Sequence, residues 1–392
     1  MIRIAAIADS HFNDARRPED CIAAHEAFLH AAAEEHVDLI LHAGDIYDRP
    51  RSTPADRLAV SEWLRDASDV APVVLVRGNH DAPGDIDLLD RIAEGRHSID
   101  AVVMPDTAVI ERGGTKIAVV CIPWFSKAQI ASTLPADVAD AAQTNELTIA
   151  TARGMLDSLR LQAQDYARRG YVTVLLGHVQ VAGSETSTGQ TLIGQTVELA
   201  PADLAAVGCS IAVVGHIHKH QAWLDGRVVY PGSPLPQDFG ERETKGWCLI
   251  EIDPKRPHEP RVTFKPLPVR ELVLIDLDFT DPDLLTKIEV PAGALVRVRC
   301  KVTPEQLATL DGEAFERAYL AAGAAEVKFE PQLEQTTRAR VPEIVETQDL
   351  ATKFRAFLRA KGIERTEAEV AELLGLVDAV VFALEGGADA AA

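Results

Sequence analysis

The segment VVLVRGNHDAPGD (residues 73–85) runs four apolar residues into Arg77 and Gly78, then sets Asn79, His80 and Asp81 side by side. An unbroken Val/Leu run of this length reads as a strand buried on both faces, as in parallel sheets. The three polar side chains that follow compete for protons, charge or metal. Whether they carry chemistry depends on how the other strands of the chain end.

Similar runs recur. IRIAAIAD (2–9), VDLILHAGD (37–45), TKIAVVCIP (115–123), GYVTVLLGH (170–178) and CSIAVVGH (209–216) all read as buried strands. Amphipathic helices lie between them, among them PEDCIAAHEAFLHAAAEEH (18–36) and TPADRLAVSEWLRDA (53–67). This alternation predicts an α/β domain. GRVVYPGS (226–233), KGWCLIEID (245–253) and PRVTFKPL (260–267) follow without helices and predict an antiparallel closing section.

The chain has 392 residues, enough for two or three units. With 47% hydrophobic and 25% charged residues it has the composition of a globular protein. No apolar run approaches the ~18–20 residues of a membrane helix, and MIRIAAIADS reaches Asp9 too soon for a signal peptide. The five Cys form no CxxC pair and read as reduced packing residues of a cytoplasmic protein. A net charge of −21 argues against a broad nucleic-acid surface, although bound cations reverse the local sign at a site.

Beyond residue 268 the pattern changes. RELVLIDLD (270–278), ALVRVRCKV (294–302) and AEVKFEPQL (325–333) predict strands, and residues 303–323 predict one helix with Thr303 as N-cap and Gln306 completing a capping box. The expected division is a metal domain over 1–268, a small α+β cap over 269–334, and a linker, two helices and a disordered tail over 335–392. The first of those helices carries Leu350, Phe354, Phe357 and Leu358. The second opens on Thr366-x-x-Glu369 and carries Val370, Leu373, Leu374, Val377, Val381 and Leu384.

Five strand ends can now be compared. They present Asp9 and His11; Asp45 and Asp48; Asn79 and His80; His178; and His216 and His218. Four of them place a glycine (44, 78, 177, 215) just before the polar residue. Strand C-termini converge on one crevice in open α/β sheets. Oxygen and nitrogen donors gathered there suit two divalent cations, with Asp45 placed to bridge them. Carboxylate and imidazole without thiolate favour Mn or Fe, with Mg or Zn as alternatives. Two cations ~3.5–4 Å apart activate a water and clamp phosphoryl oxygens during in-line attack. His25, His30, His36, His97 and His258 lack such a setting, and His42 reads as a packing residue.

Asp9-x-His11, Gly44-Asp45-x-x-Asp48, Gly78-Asn79-His80-Asp81, Gly177-His178 and Gly215-His216-x-His218 resemble the calcineurin-like metallophosphoesterase pattern. YPGSPLPQDFGE (230–241) narrows the resemblance to the SbcD / Mre-eleven family of DNA double-strand-break nucleases. That resemblance implies a β-sandwich flanked by helices, carrying a small α+β cap and a C-terminal helical pair. It assigns Asp9, His11, Asp45, Asn79, His178, His216 and His218 to two metals, Mn first among them. It gives His80 the leaving-group oxygen. Asp48 is expected to hold His80, since a nearby carboxylate favours the imidazolium. Many archaeal and eukaryotic members carry His where this chain has Asp48, and His220 stands where relatives often have Pro.

The implied function is a Mn-dependent nuclease acting on DNA ends, hairpins or single strands, cytoplasmic and nucleoid-associated. The implied partner is an SMC-type ATPase of the SbcC kind, docked through residues 344–385. A homodimer through the helices near 55–66 and 84–94 would use Leu58, Leu88, Leu89 and Ile92. Arg49 and Arg51, and Arg16 and Arg17, follow ligand loops and are expected at the rim, where phosphates pass. The alternative is a dimetal phosphodiesterase or phosphatase for small-molecule or protein phosphoesters.

Overall fold

The computed structural model describes residues 1–92, 95–125, 141–190, 197–278, 288–333, 350–361, 363, 365–371 and 373–374. Strand β1 (Ile2–Ile7) lies inside a sheet whose parallel neighbours are β2 (Leu39–His42), β3 (Val73–Val76) and β4 (Ile99–Val102). On its other side β1 pairs antiparallel with β13 (Gly246–Ile252), in register Ile2↔Ile252 through Ala6↔Cys248, and β14 (Arg261–Pro266) closes that edge. A second six-stranded sheet runs β11 (Gln221–Trp223), β12 (Val228–Tyr230), β10 (Ile211–Gly215), β7 (Val172–His178), β6 (Thr115–Ile122), β5 (Asp106–Arg112).

The two sheets face each other. Ile4, Ala6, Leu41 and Val74 of the first meet Val119, Val174, Leu176 and Val213 of the second in one buried cluster. Alternate residues of the same strands, Ala5, Ile7, Ile40 and Leu75, point the other way. There they meet Phe28 of α1 (Pro18–Glu34), Trp63 and Leu64 of α2 (Pro54–Val70), and Ile86 of α3 (Pro83–Ile92). On the far side, Leu156 and Leu159 of α4 (Ala141–Arg168) cover Val120, Leu175 and Val214. Between β7 and β10 the chain forms a two-stranded ribbon, β8 (Gln180–Val181) with β9 (Glu198–Leu199), and the short α5 (Pro201–Ala205). Both faces of each central strand are therefore dry, which is why the sequence reads as continuous apolar runs. Truncating Leu41 to Ala in this interior would cost roughly 2–5 kcal/mol. Helix α2 starts where the sequence says it must: Thr53 caps Asp56 N, Asp56 returns the bond to Thr53 N, and Pro54 takes the first turn. The architecture is the helix-flanked mixed β-sandwich expected, and the antiparallel closing section is present as β13 and β14.

A third sheet orders β15 (Leu272–Asp278), β16 (Leu295–Val302) and β17 (Glu326–Leu333). The single helix expected over 303–323 is two. α6 (Pro304–Thr309) ends at Leu310, whose backbone is extended, and α7 (Gly312–Ala321) restarts with Asp311 as its cap on Ala314 N. A second N-cap within the run outweighed the helix propensity around it. The chain divides into two compact units, Met1–Cys300 with Asp311–Glu330, and Lys301–Leu310 with Pro331–Ala392. Boundaries at 268 and 334 remain our proposal.

In the second unit, α8 (Leu350–Ala360) is followed by the expected capping box. Thr366 N donates to Glu369 and Glu369 N to Thr366 Oγ1. Leu358 and Val370 are buried, while Phe357 and Leu373 are exposed. Val377, Val381 and Leu384, the 334–349 linker and the 385–392 tail lie outside the described residues. All five cysteines are buried. No helix among the described residues is long and apolar enough to cross a membrane.

Candidate metal centre

Strands β1, β2 and β3 are parallel neighbours in one sheet, and β7 and β10 in the other, so their C-termini reach one edge of the sandwich together. Register sets the depth. Gly215 of β10 is level with His178 of β7, and Asp9 N bonds Gly44 O across the first sheet. The backbone there is strained. Asp9, His11 and Asp45 have φ near +50°, and His216 has φ 118°. These are four of the eight non-glycine residues with positive φ among those described, a concentration expected where a site over-determines its backbone.

The glycines have a steric cause. A Cβ on Gly78 would overlap the Asp45 carboxylate and backbone, and one on Gly215 would overlap Ala43 O. At Gly44, with φ +90°, it would lie 2.5 Å from His178 Nδ1. Gly177 differs, since its nearest contact would be an ordinary 3.4 Å.

Two overlapping sets of ligand atoms result. Asp9, His11 and His218 form one, and Asp9, Asp45 and His178 the other, with the atoms of each set within 4.8 Å of one another. Asp9 belongs to both, a place the sequence reading gave to Asp45. Asp45 is nonetheless the carboxylate whose charge acts on His11, His178, His216 and His218 alike. Asn79 Oδ1 sits 3.0 Å from His178 Nε2 and 2.9 Å from His216 Nδ1, and His11 Nε2 sits 3.1 Å from His218 Nε2. The seven ligands expected from sequence therefore meet.

Acceptor atoms crowd this cluster. His178 Nδ1 donates to Ala43 O; burial opposes a charge on this ring, but Asp45, 3.4 Å from Nε2, pushes it up to about 9, so that a proton stands between the two, with Asn79 Oδ1 3.0 Å from the same nitrogen. At most one of the facing His11 and His218 nitrogens can carry the hydrogen between them. His216 Nε2 and His218 Nδ1 are buried and make no hydrogen bond. Burial pushes the Asp9 carboxyl up to about 7 and holds His11 down at about 4 and His216 at about 3, so these imidazoles are neutral. Burial also opposes the Asp45 charge, but the protonated His178 pulls its carboxyl well below the usual range. Two buried carboxylates beside imidazole nitrogens that lack a hydrogen-bond partner fit bound cations, and neutral imidazole is the ligating form.

His80 stands apart. Its N–H bonds Asp45 Oδ1 at 2.8 Å, and its ring Nδ1 donates to the Asp48 main-chain oxygen at 2.6 Å. The sequence put the Asp48 carboxylate on His80. That carboxylate instead accepts from Asn13 Nδ2 at 2.6 Å and lies 3.5 Å from His11 Nδ1. A main-chain oxygen had no sequence signal. The cleft above, about 170 Å³, is lined by His11, Asp45, Asp48, Asn79, His80, His216 and His218, with Arg16, Gln190, Gln237, Asp238 and Glu241 around them.

Of the four arginines expected at the rim, Arg16 lines this cleft, 3.7 Å from Asp48. Arg17 donates to Pro236 O, and Arg49 pairs with Asp14 at 2.9 Å as a loop staple. Arg51 is exposed. His220 stacks on Phe264 and donates to Tyr230 O, away from the ligands.

Sequence reasoning missed several supports. Asp81 accepts from Gly78 N, Tyr47 N and Ile46 N, tying two ligand loops together. Trp124 stacks on His216 with centroids 5.1 Å apart. Trp124 follows β6, which ends at the same edge, so strand order could have flagged it. Gln190 sits in a polar stretch with no pattern.

A family model described as calcineurin-like phosphoesterase matches residues 2–220. The chain is 28% identical over 273 residues to the SbcD component of the nuclease SbcCD of Rhodobacter capsulatus, covering 61% of this chain and 64% of that one. It is 25% identical over 297 residues to the DNA double-strand break repair protein Mre11 of Aeropyrum pernix, covering 72% and 64%. The SbcD component of the nuclease SbcCD of Staphylococcus saprophyticus is 22% identical over 271 residues, covering 68% of each chain. The chain thus spans just under two thirds of the length of the first two relatives.

Proposed function

The chain belongs to the calcineurin-like phosphoesterase family, and from that premise we propose a dimetal, Mn-using nuclease. It hydrolyses phosphodiester bonds at DNA ends as the nuclease component of an SbcCD-type repair and recombination complex. The observation that carries the reading is the buried cluster of carboxylates, imidazoles and Asn79 gathered from five strand ends. The nuclease names of the similar proteins support the substrate class.

Asp9, His11, Asp45, Asn79, His178, His216 and His218 would hold two divalent cations. When bound, these supply an activated water and neutralise phosphoryl charge. The chain's own part is positional and protonic. His80 is fixed through Nδ1 and lines the cleft, leaving Nε2 to exchange a proton with the leaving oxygen. The Asp48 carboxylate lies 3.5 Å from His11 Nδ1, on the side of the ring away from His218. Arg16 puts a positive charge where a phosphate strand enters.

The remaining assignments belong to this reading: Arg17, Arg49 and Arg51 as weaker DNA contacts, a cap over 269–334, and a cytoplasmic location. The docking of an SMC-type ATPase through 344–385 and a homodimer through α2 and α3 belong to it as well. Leu58 and Leu88 are exposed for the dimer, while Leu89 packs into the chain's own core.

End-labelled duplex digested with Mn or Mg, with and without the ATPase partner, tests the proposal. Metal-dependent release of nucleotides is expected. Intact DNA alongside hydrolysis of bis-p-nitrophenyl phosphate would move the reading to small-molecule or protein phosphoesters.

A further inference from the structure

We infer that Gln190 and Lys245, both outside the ligand motifs, are positioning residues that clamp the His216–His218 turn. The inference rests on the metal-centre reading above. The turn leaves β10 with φ 118° at His216, so no strand can continue beside it. Four of its backbone groups, on His216 and His218, are nevertheless held. His216 N donates to the Asp9 carboxylate at 3.0 Å. Gln190 Nε2 donates to His216 O at 2.7 Å, and Gln190 Oε1 accepts from His218 N at 3.3 Å. One carboxamide thus does what the N–H and C=O of one residue in a neighbouring parallel strand would do: it bonds the carbonyl of one residue and the N–H two residues on.

The last group, His218 O, accepts from Ser233 N at 3.0 Å and from Lys245 Nζ at 3.1 Å. The Lys245 ammonium is buried between Glu241 at 2.6 Å and Glu243 at 3.0 Å. Glu241 in turn takes the N–H groups of Gln237 and Asp238. Burying an ammonium among carboxylates is a weak source of stability, because desolvation offsets the attraction. Its third contact gives it a use: it fixes the carbonyl of His218, whose ring faces His11. Partners of this kind typically change metal affinity by roughly 10–100-fold when removed.

The test titrates metal-free, full-length protein with Mn by calorimetry and with Co by visible absorption. The variants are Gln190→Met, which keeps length and loses both bonds, and Lys245→Met with Glu241→Gln, which removes the ammonium together with the charge of its nearer, fully buried carboxylate and leaves the partly exposed Glu243. Both should weaken one binding event by roughly 10–100-fold and alter the Co spectrum, with far-UV circular dichroism unchanged. Folded variants with wild-type affinities and spectra would overturn the clamp, leaving these groups as mere cross-links that move only the melting temperature. If the lysine variant does not fold, Gln190→Met decides alone, since that side chain is only half-buried. Wild-type protein that binds fewer than two ions would remove the metal centre itself, and the clamp with it.

Discussion

Asp45 and His80 are joined by one hydrogen bond, yet different things should follow from changing them. Asp45 carries a charge that reaches four imidazoles, so Asp45→Asn should lose at least one ion and nearly all activity. Elemental analysis that still finds two ions per chain would take Asp45 out of the ligand set. His80 touches the ligand set only through its backbone and the edge of His11. His80→Ala should therefore keep its metal and lose turnover by roughly 10²–10⁴-fold. Loss of metal in that variant would move His80 among the ligands. The ligand types were legible in the sequence because each stands at or just past the end of an apolar run, four of the five ends being marked by a glycine. Their supports were not. Asp81, Gln190 and the Asp48 carbonyl act through backbone hydrogen bonds, and these depend on loop conformation that no periodicity encodes.

Where α1 crosses the end of β1, a buried polar chain replaces apolar packing. His25 Nδ1 donates to Cys21 O, so neutral His25 accepts from Ser10 Oγ at 2.7 Å, and Ser10 Oγ accepts from His42 Nε2 at 2.8 Å. Ser10 lies between Asp9 and His11, so the helix face and the ligand loop share this chain. Burial holds His25 down at about 4, against 6.5 in an open chain. Protonation therefore favours the unfolded state. The stabilisation is complete above pH 6.5 and is lost as pH falls toward 4, by roughly 3 kcal/mol in all. His42, at about 3, acts in the same direction. Urea midpoints of the metal-free protein should fall between pH 7 and 4.5, and less steeply in His25→Gln. Equal slopes would discard His25 as a cause. Elements were the most legible level, because both faces of each central strand are buried and the runs are unbroken. The broken helix at Leu310–Asp311 was missed because a run of helix formers hides a cap that tertiary structure selects.

At the level of the whole molecule, the matched family region and all seven proposed ligands end by residue 220, but the sandwich does not. β1 needs β13 beside it, and Lys245 reaches back to His218. A chain of residues 1–220 should leave β1 with an open edge and be insoluble or metal-poor. A soluble 1–220 fragment with two ions would show that β13 is dispensable. The same pairing sets an order in time. A chain leaving the ribosome makes β1 first, yet the partner of Ile2 is Ile252. At ~5–20 residues per second the first strand waits on the order of 10–50 s for its neighbour. Through that interval its apolar edge is open to chaperones or to other nascent chains.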